Sequence, residues 1–141
     1  MLKVKIYTIG KNKEPWLQEA LDEYQKRLTG KLFFDWIIVK NNQSLEKSLE
    51  KLPSYIVLDP NGQSYDSEGF SKFFFETMEQ YHCEINLVIG GAEGLLKPVI
   101  KKASHAISLS KLTFTHQITR IILLEQIYRA FQIQLGTNYH K

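Results

Sequence analysis

Leu2, Val4 and Ile6 alternate with Lys3, Lys5 and Tyr7, the two-residue period of a strand, which Gly10 ends. From Pro15 the period changes. Leu17, Ala20, Leu21, Tyr24 and Leu28 fall on one helical face, and Pro15 suits a first turn. Leu32 to Val39 is a β-rich run. Leu45, Leu49 and Leu52 mark a shorter helix, with Ser44 as N-cap and Pro53 beyond its end. Tyr55 to Leu58 reads as a third strand, followed by a turn at Asp59-Pro60-Asn61-Gly62. Ser67 then caps a helix with Phe70, Phe73, Phe74, Met78 and Tyr81 on one face. Glu84 to Ile89 is a fourth strand, Pro98 to Ala103 a helix and Ala106 to Leu109 a fifth strand. Thr115 opens a long helix to about Gln134, stopped by Gly136. Alternation of strand and helix predicts an α/β fold: a parallel sheet with helices on both faces. With no repeat, low-complexity tract or long linker, residues 1–141 read as a single domain.

The final helix departs from the usual pattern. Ile118, Ile121, Ile122, Leu123, Leu124, Ile127, Tyr128, Ala130, Phe131 and Ile133 cover nearly its whole circumference. A helix apolar all round is buried, and a terminal helix of a small α/β domain ordinarily keeps one face in water. The surplus face argues for a partner subunit, a symmetric copy, over burial within the chain itself.

Length, charge and cysteine content narrow the setting. At 141 residues the chain can bury a real core. No apolar run reaches the length of a membrane span, and the lysine-interrupted start lacks a signal peptide's apolar centre, which argues against export. A lone cysteine, Cys83, forms no internal disulfide and fits a reducing cytoplasm; a structural role is preferred for it over a nucleophilic one. The net charge of +3 permits an anionic partner without the dense Lys/Arg patches of a basic nucleic-acid domain. Any phosphate contacts are then few per chain, and a dimer doubles them.

Candidate chemistry gathers in the last third. Asn86 to Gly94 and Ile107 to His116 each carry a strand into a small or polar loop with a helix behind it. In open α/β sheets ligands bind where loops leave the carboxyl ends of strands, so the two loops predict one composite pocket. Gly90, Gly91 and Gly94 spell G-G-x-x-G after the fourth strand, not the dinucleotide fingerprint after the first. The first strand instead runs into Gly10-Lys11-Asn12-Lys13. No P-loop occurs, and a nicotinamide enzyme is disfavoured. Glycine permits close backbone approach, but these three alone indicate only a strand-to-helix turn.

The histidines His82, His105, His116 and His140 show no paired metal-ligand spacing, so no metal is expected. Ser108 and Ser110 sit in no nucleophile elbow. His116 and Arg120 share a face at the first turn of the final helix, where free N–H groups favour a carboxylate or phosphate and Arg120 adds a charged fork. The plainer alternative is an Arg120 that pairs with a nearby carboxylate. Glu125 and Arg129 read better as a structural ion pair. The tail Asn138-Tyr139-His140-Lys141 reads slightly better as disordered than as a clamp on a nucleobase and its phosphate.

Taken together, L-D-P-N-G (Leu58 to Gly62), V-I-G-G-A-E-G (Val88 to Gly94), I-S-L-S-K-L-T-F-T-H-Q (Ile107 to Gln117), L-E-Q-I-Y-R-A (Leu124 to Ala130) and the closing Tyr139-His140 resemble a known family. It is the bacterial large-subunit ribosomal RNA pseudouridine N3-methyltransferases, of the SPOUT class of S-adenosylmethionine (SAM) enzymes. The resemblance covers the whole chain. It implies a sheet whose C-terminal part, about residues 84–141, is threaded into a trefoil knot, a feature too rare for periodicity to suggest. It implies a homodimer in the cytoplasm, with SAM held by loops matching Leu58, Gly91, Leu109, Ser110, Lys111, Leu112, Thr113 and Phe114. The implied substrate is a pseudouridine of 23S rRNA at the subunit interface of the assembled 70S ribosome. The chain ends in Lys141 where some members have Arg followed by another residue; Lys keeps the charge but loses a planar fork.

On this reading the protein aligns methyl donor and acceptor. N3 must lose a proton at or before transfer. His140 is the candidate base, His116 the alternative; Tyr139 orients the base, and Arg120 stabilises charge on the uracil oxygen. Few basic residues argue for recognition of an assembled ribosome over naked RNA. The rivals are a SPOUT enzyme for tRNA or another rRNA site, a non-catalytic ribosome-associated protein, and a flavodoxin-like flavin binder.

Overall fold

A computed structural model describes residues 1–10 and 14–141; Lys11, Asn12 and Lys13, read above as lacking a glycine cluster, lie outside the described residues. Five strands and five helices alternate: β1 (Leu2–Ile9), α1 (Pro15–Arg27), β2 (Leu32–Val39), α2 (Asn42–Glu50), β3 (Ile56–Ser64), α3 (Ser67–Gln80), β4 (Glu84–Ile89), α4 (Lys97–Lys102), β5 (His105–Ser108) and α5 (His116–Leu135). All strand pairs are parallel, in the order β2-β1-β4-β3-β5. Parallel strands require crossovers, which α1 to α4 and their loops supply.

Alternation within strands splits the core in two, because successive side chains point to opposite faces. Val4, Ile6, Ile85, Leu87 and Ile89 face one side and bury Leu17 and Leu21 of α1, Phe70, Phe74 and Met78 of α3, and Leu123, Leu124 and Ile127 of α5. Tyr7 and Val88 face the other, against Leu45 and Leu49 of α2 and Val99 of α4. Tyr55 Oη donates to the Val99 carbonyl at 2.7 Å and ties α4 to the sheet.

Three local expectations need correction. Asn41, not Ser44, caps α2: its side chain accepts the Ser44 N–H at 2.9 Å. Asp66, not Ser67, caps α3 by accepting the Gly69 N–H at 2.7 Å. In both cases a stronger cap stands just before the residue chosen. Asp59 to Gly62 also continues β3 and is no plain turn; pairing with β5 jumps from Leu58 to Gln63, with both opposite Ile107. The intervening residues bulge outward, and a Cβ on Gly62 would lie 2.6 Å from the Ala106 backbone. Glycine is there for close packing.

Thr115 does cap α5, accepting the Ile118 N–H at 3.3 Å, and Gly136 closes it with a left-handed φ of 71°. Within this chain only one stripe of α5 is buried. Ile118 is exposed, and Ile121, Ile122, Tyr128 and Ile133 are half-buried. Between β5, at the sheet edge, and α5, whose Arg120 meets the end of β1, the chain crosses the carboxyl ends of β3 and β4.

Candidate active site

The bulge within β3, the glycine turn after β4 and the β5–α5 loop meet around a cleft of about 760 Å³. That is the size of a small-molecule or cofactor site. Leu58, Ile89, Leu95, Ile100, Leu109 and Phe114 give it apolar walls; Asp59, Ser110, Thr113, Thr115, His116 and Gln117 bring polar groups.

Each wall has a local cause. The glycine turn is tight: Gly94 N–H donates to the Gly91 carbonyl at 3.0 Å. Gly94 holds a φ of 77°. A Cβ on Gly90 would stand 3.1 Å from Leu95, and one on Gly91 3.2 Å from Ile9. The β5–α5 loop is braced by its own serines. Ser108 Oγ donates to the Ser110 carbonyl at 2.9 Å, and Ser110 Oγ accepts the Leu112 N–H at 3.0 Å. The mouth is finished by the start of α5, whose free N–H groups carry positive potential.

Seven of the eight positions implied for a cofactor meet around this cleft: Leu58, Gly91, Leu109, Ser110, Leu112, Thr113 and Phe114. Lys111 is exposed and outside the lining. Asp59, Pro60, Ile100 and Thr119 also line it and were not singled out. Asp59 and Pro60 were legible only as turn residues. Ile100 reaches the cleft from α4, which spacing alone does not show.

His116 is half-buried at the cleft. Burial first, and then the Arg120 cation, hold its imidazole below the ordinary value of 6.5, against a smaller opposing pull from Glu14. Arg120 is not a surface fork. It is fully buried behind His116, with Nη2 donating to the Ile9 carbonyl at 2.8 Å and to Thr8 Oγ1 at 3.2 Å, and standing 3.4 Å from His116 Nδ1.

The tail, read as disordered, is folded against α5 and α3. Tyr139 Oη donates to Glu125 Oε2 at 2.8 Å, and its ring meets Tyr128 edge-on at 4.9 Å. Arg129 lies 4.8 Å over the Tyr139 ring, pairs with Glu125 at 2.9 Å and approaches His140 Nδ1 to 3.1 Å. Glu68 Oε1 of α3 faces His140 Nε2 at 3.7 Å. The Glu125–Arg129 ion pair is thus structural, as read, and also the tail's anchor. Burial and then the bond to Glu125 raise the Tyr139 phenol above its ordinary range.

The structure does not bring all four proposed catalytic groups together in one chain. His116 and Arg129 are 13 positions apart on α5, about 20 Å along the axis at ~1.5 Å per residue. His116 and Arg120 belong to the cleft end, Tyr139 and His140 to the other. Among the described residues no group of acidic, histidine or cysteine side chains could hold a metal, and no helix is long and apolar enough to cross a membrane.

Comparison with known proteins adds the chemistry. A family model described as "Predicted SPOUT methyltransferase" matches residues 2–140. The chain is 49% identical to the ribosomal RNA large subunit methyltransferase H of Protochlamydia amoebophila, over 100% of both chains. It is 37% identical to the protein of that name from Streptococcus uberis, over 99% of this chain and 100% of the relative. Among solved structures, a probable methyltransferase from Bordetella pertussis Tohama I shares the fold with a TM-score of 0.61 at 10% identity, covering 92% of this chain and 96% of the other. A probable methylase family protein from Haemophilus influenzae Rd KW20 gives 0.57 at 11% identity, covering 94% and 66%.

Proposed function

The chain belongs to the SPOUT methyltransferase family, in its ribosomal RNA large subunit methyltransferase H branch, and from that premise we propose that it methylates N3 of a pseudouridine in 23S rRNA of the assembled 70S ribosome, with SAM as methyl donor. The observation that carries this reading is the cleft, walled by the bulge of β3 and the loops that follow β4 and β5.

The cleft's residues fit SAM. Leu58, Leu109 and Phe114 offer apolar walls for an adenine, and the N–H groups at the start of α5 suit the methionine carboxylate. When bound, SAM supplies an electrophilic methyl on its sulfonium. The chain's task is alignment: a loop braced by Ser108 and Ser110 holds the donor side still, so that little reorganisation remains at transfer. His116 stands at the cleft edge as a neutral imidazole, and Arg120 acts by fixing His116 against β1.

The acceptor side needs Tyr139 and His140, which lie about 20 Å of helix from their own cleft. A homodimer resolves the distance: the tail of one protomer completes the cleft of its partner. The incompletely buried apolar face of α5 offers the surface for that pairing. The crossing from β5 to α5 over β3 and β4 is the segment we assign to the knot.

The experiment is methyl transfer from radiolabelled SAM to unmodified 70S ribosomes, separated 50S subunits and naked 23S rRNA, side by side. Incorporation into 70S particles, mapped to one pseudouridine, is the expected result. Bound SAM with no transfer to any of the three would redirect the search to tRNA; no SAM binding would favour a non-catalytic role.

A further inference from the structure

Tyr139 and His140 are both held by one ion pair, and the chemistry of that pair limits what they can do. Arg129 contacts His140 Nδ1 at 3.1 Å, Glu125 at 2.9 Å and the face of the Tyr139 ring at 4.8 Å. A guanidinium has five N–H donors and no acceptor. The ring nitrogen it approaches must therefore offer a lone pair, so Nδ1 is unprotonated. The neutral ring then carries its proton on Nε2, and that atom faces the acceptor-only carboxylate of Glu68 at 3.7 Å. Arg129 selects this tautomer, and the carboxylate of Glu68 is compatible with it. On the other side, Tyr139 Oη donates a hydrogen bond to Glu125 Oε2 at 2.8 Å, and burial with that bond keeps the phenol protonated.

We propose that Glu125 and Arg129 are positioning residues which fix the terminal pair as hydrogen-bond donors: His140 as the Nε2–H imidazole and Tyr139 as the phenol. This deepens the reading above and rests on it for its substrate. It reverses the role first suggested for His140. Neither ring nitrogen is arranged to take the N3 proton: Nδ1 is occupied by Arg129, and Nε2 has no lone pair to give. The N3–H bond instead breaks toward water, its electron pair staying on the base and spreading to the neighbouring uracil oxygen. His140 Nε2–H donates to that oxygen and favours the anion, as preorganised donors do where charge develops. The methyl–N3 bond forms afterwards as the methyl leaves sulfur. Arg129, a planar fork stacked on the ring and bonded at its edge, fixes both side chains at once, a task a lysine ammonium shares only in part.

The tautomer can be read without turnover. In the full-length protein, nitrogen–proton correlations of the imidazoles, with His140 assigned by the signals lost in His140→Gln, should show Nε2 protonated and Nδ1 bare. In Arg129→Met the two tautomers should mix, while Arg129→Lys should restore part of the preference. A wild-type His140 protonated at Nδ1 overturns the proposal. Because this arm needs no substrate, it stands even if no ribosomal particle accepts a methyl group. With turnover, His140→Gln is decisive, since glutamine retains an N–H donor but is no base at neutral pH. It should keep activity within about tenfold of wild type, where His140→Ala loses about a hundredfold, the usual cost of one such donor. Glutamine as inactive as alanine overturns the donor role. Unchanged melting temperatures of the variants separate either result from misfolding.

Discussion

The two ends of α5 repeat one motif in two environments. At the start, Arg120 stands 3.4 Å from Nδ1 of His116; near the end, Arg129 stands 3.1 Å from Nδ1 of His140. The first arginine is fully buried and grips Thr8 and Ile9 of β1. The second keeps a quarter of its side chain exposed and pairs with a carboxylate. The difference teaches that an Arg–His pair has no fixed meaning. Sealed in the interior, it fastens the helix to the sheet and sets the cleft edge. Nearer the surface, it fixes the tail against its own helix.

The largest effect should come from cutting the exposed end. Deleting Asn138 to Lys141 should lower methyl transfer by at least about a hundredfold, the scale of one lost preorganised donor, while SAM affinity by calorimetry stays as it was. A loss of SAM binding would mean that the two ends are not separable. Next comes the buried end. Arg120→Met should cost roughly 3 kcal/mol in urea unfolding, because it strands the Ile9 carbonyl and Thr8 hydroxyl in the interior. The matching Arg129→Met should cost about 1 kcal/mol or less, as partly exposed pairs do. Equal costs would erase the contrast.

Smaller again is the cap. Thr115→Ala should remove about 1 kcal/mol, seen as a lower urea midpoint with an unchanged slope. The smallest effect is a pH slope. Burial and Arg120 hold the His116 imidazole below 6.5, so below that pH the unfolded chain binds more protons than the folded one. Stability should fall as pH drops through this range, and His116→Asn should flatten the slope. A variant as pH-sensitive as wild type would show that the His116 environment does not govern it.

Much of the fold was open to reading because its signals are local. A period of two marked β1, helical spacing marked the longer helices, short β-rich runs marked the other strands, and their alternation predicted parallel pairing. The failures are non-local. Nothing beside Gly62 in sequence says that Ala106 lies against it, so Asp59 to Gly62 read as turn chemistry when it is a bulged strand forming one wall of the cleft. Spacing placed His116 and Arg120 on one face but could not say that β1 stands behind that face. The tail read as disordered because Tyr139 has no neighbour of its own to pack on; its partners, Glu125 and Tyr128, lie on the preceding helix. The positions around the cleft came from resemblance to a family, since apolar wall residues look like any other core.

The contact between Arg120 and β1 also sets a schedule. The hydrogen bond from Arg120 to Thr8 spans 112 positions of chain. Synthesis at about 5–20 residues per second places roughly 6–20 s between the appearance of the two partners. Throughout that interval the first strand has neither its helix cover from α5 nor the guanidinium that closes its end. β1 is therefore made well before the helix that completes it.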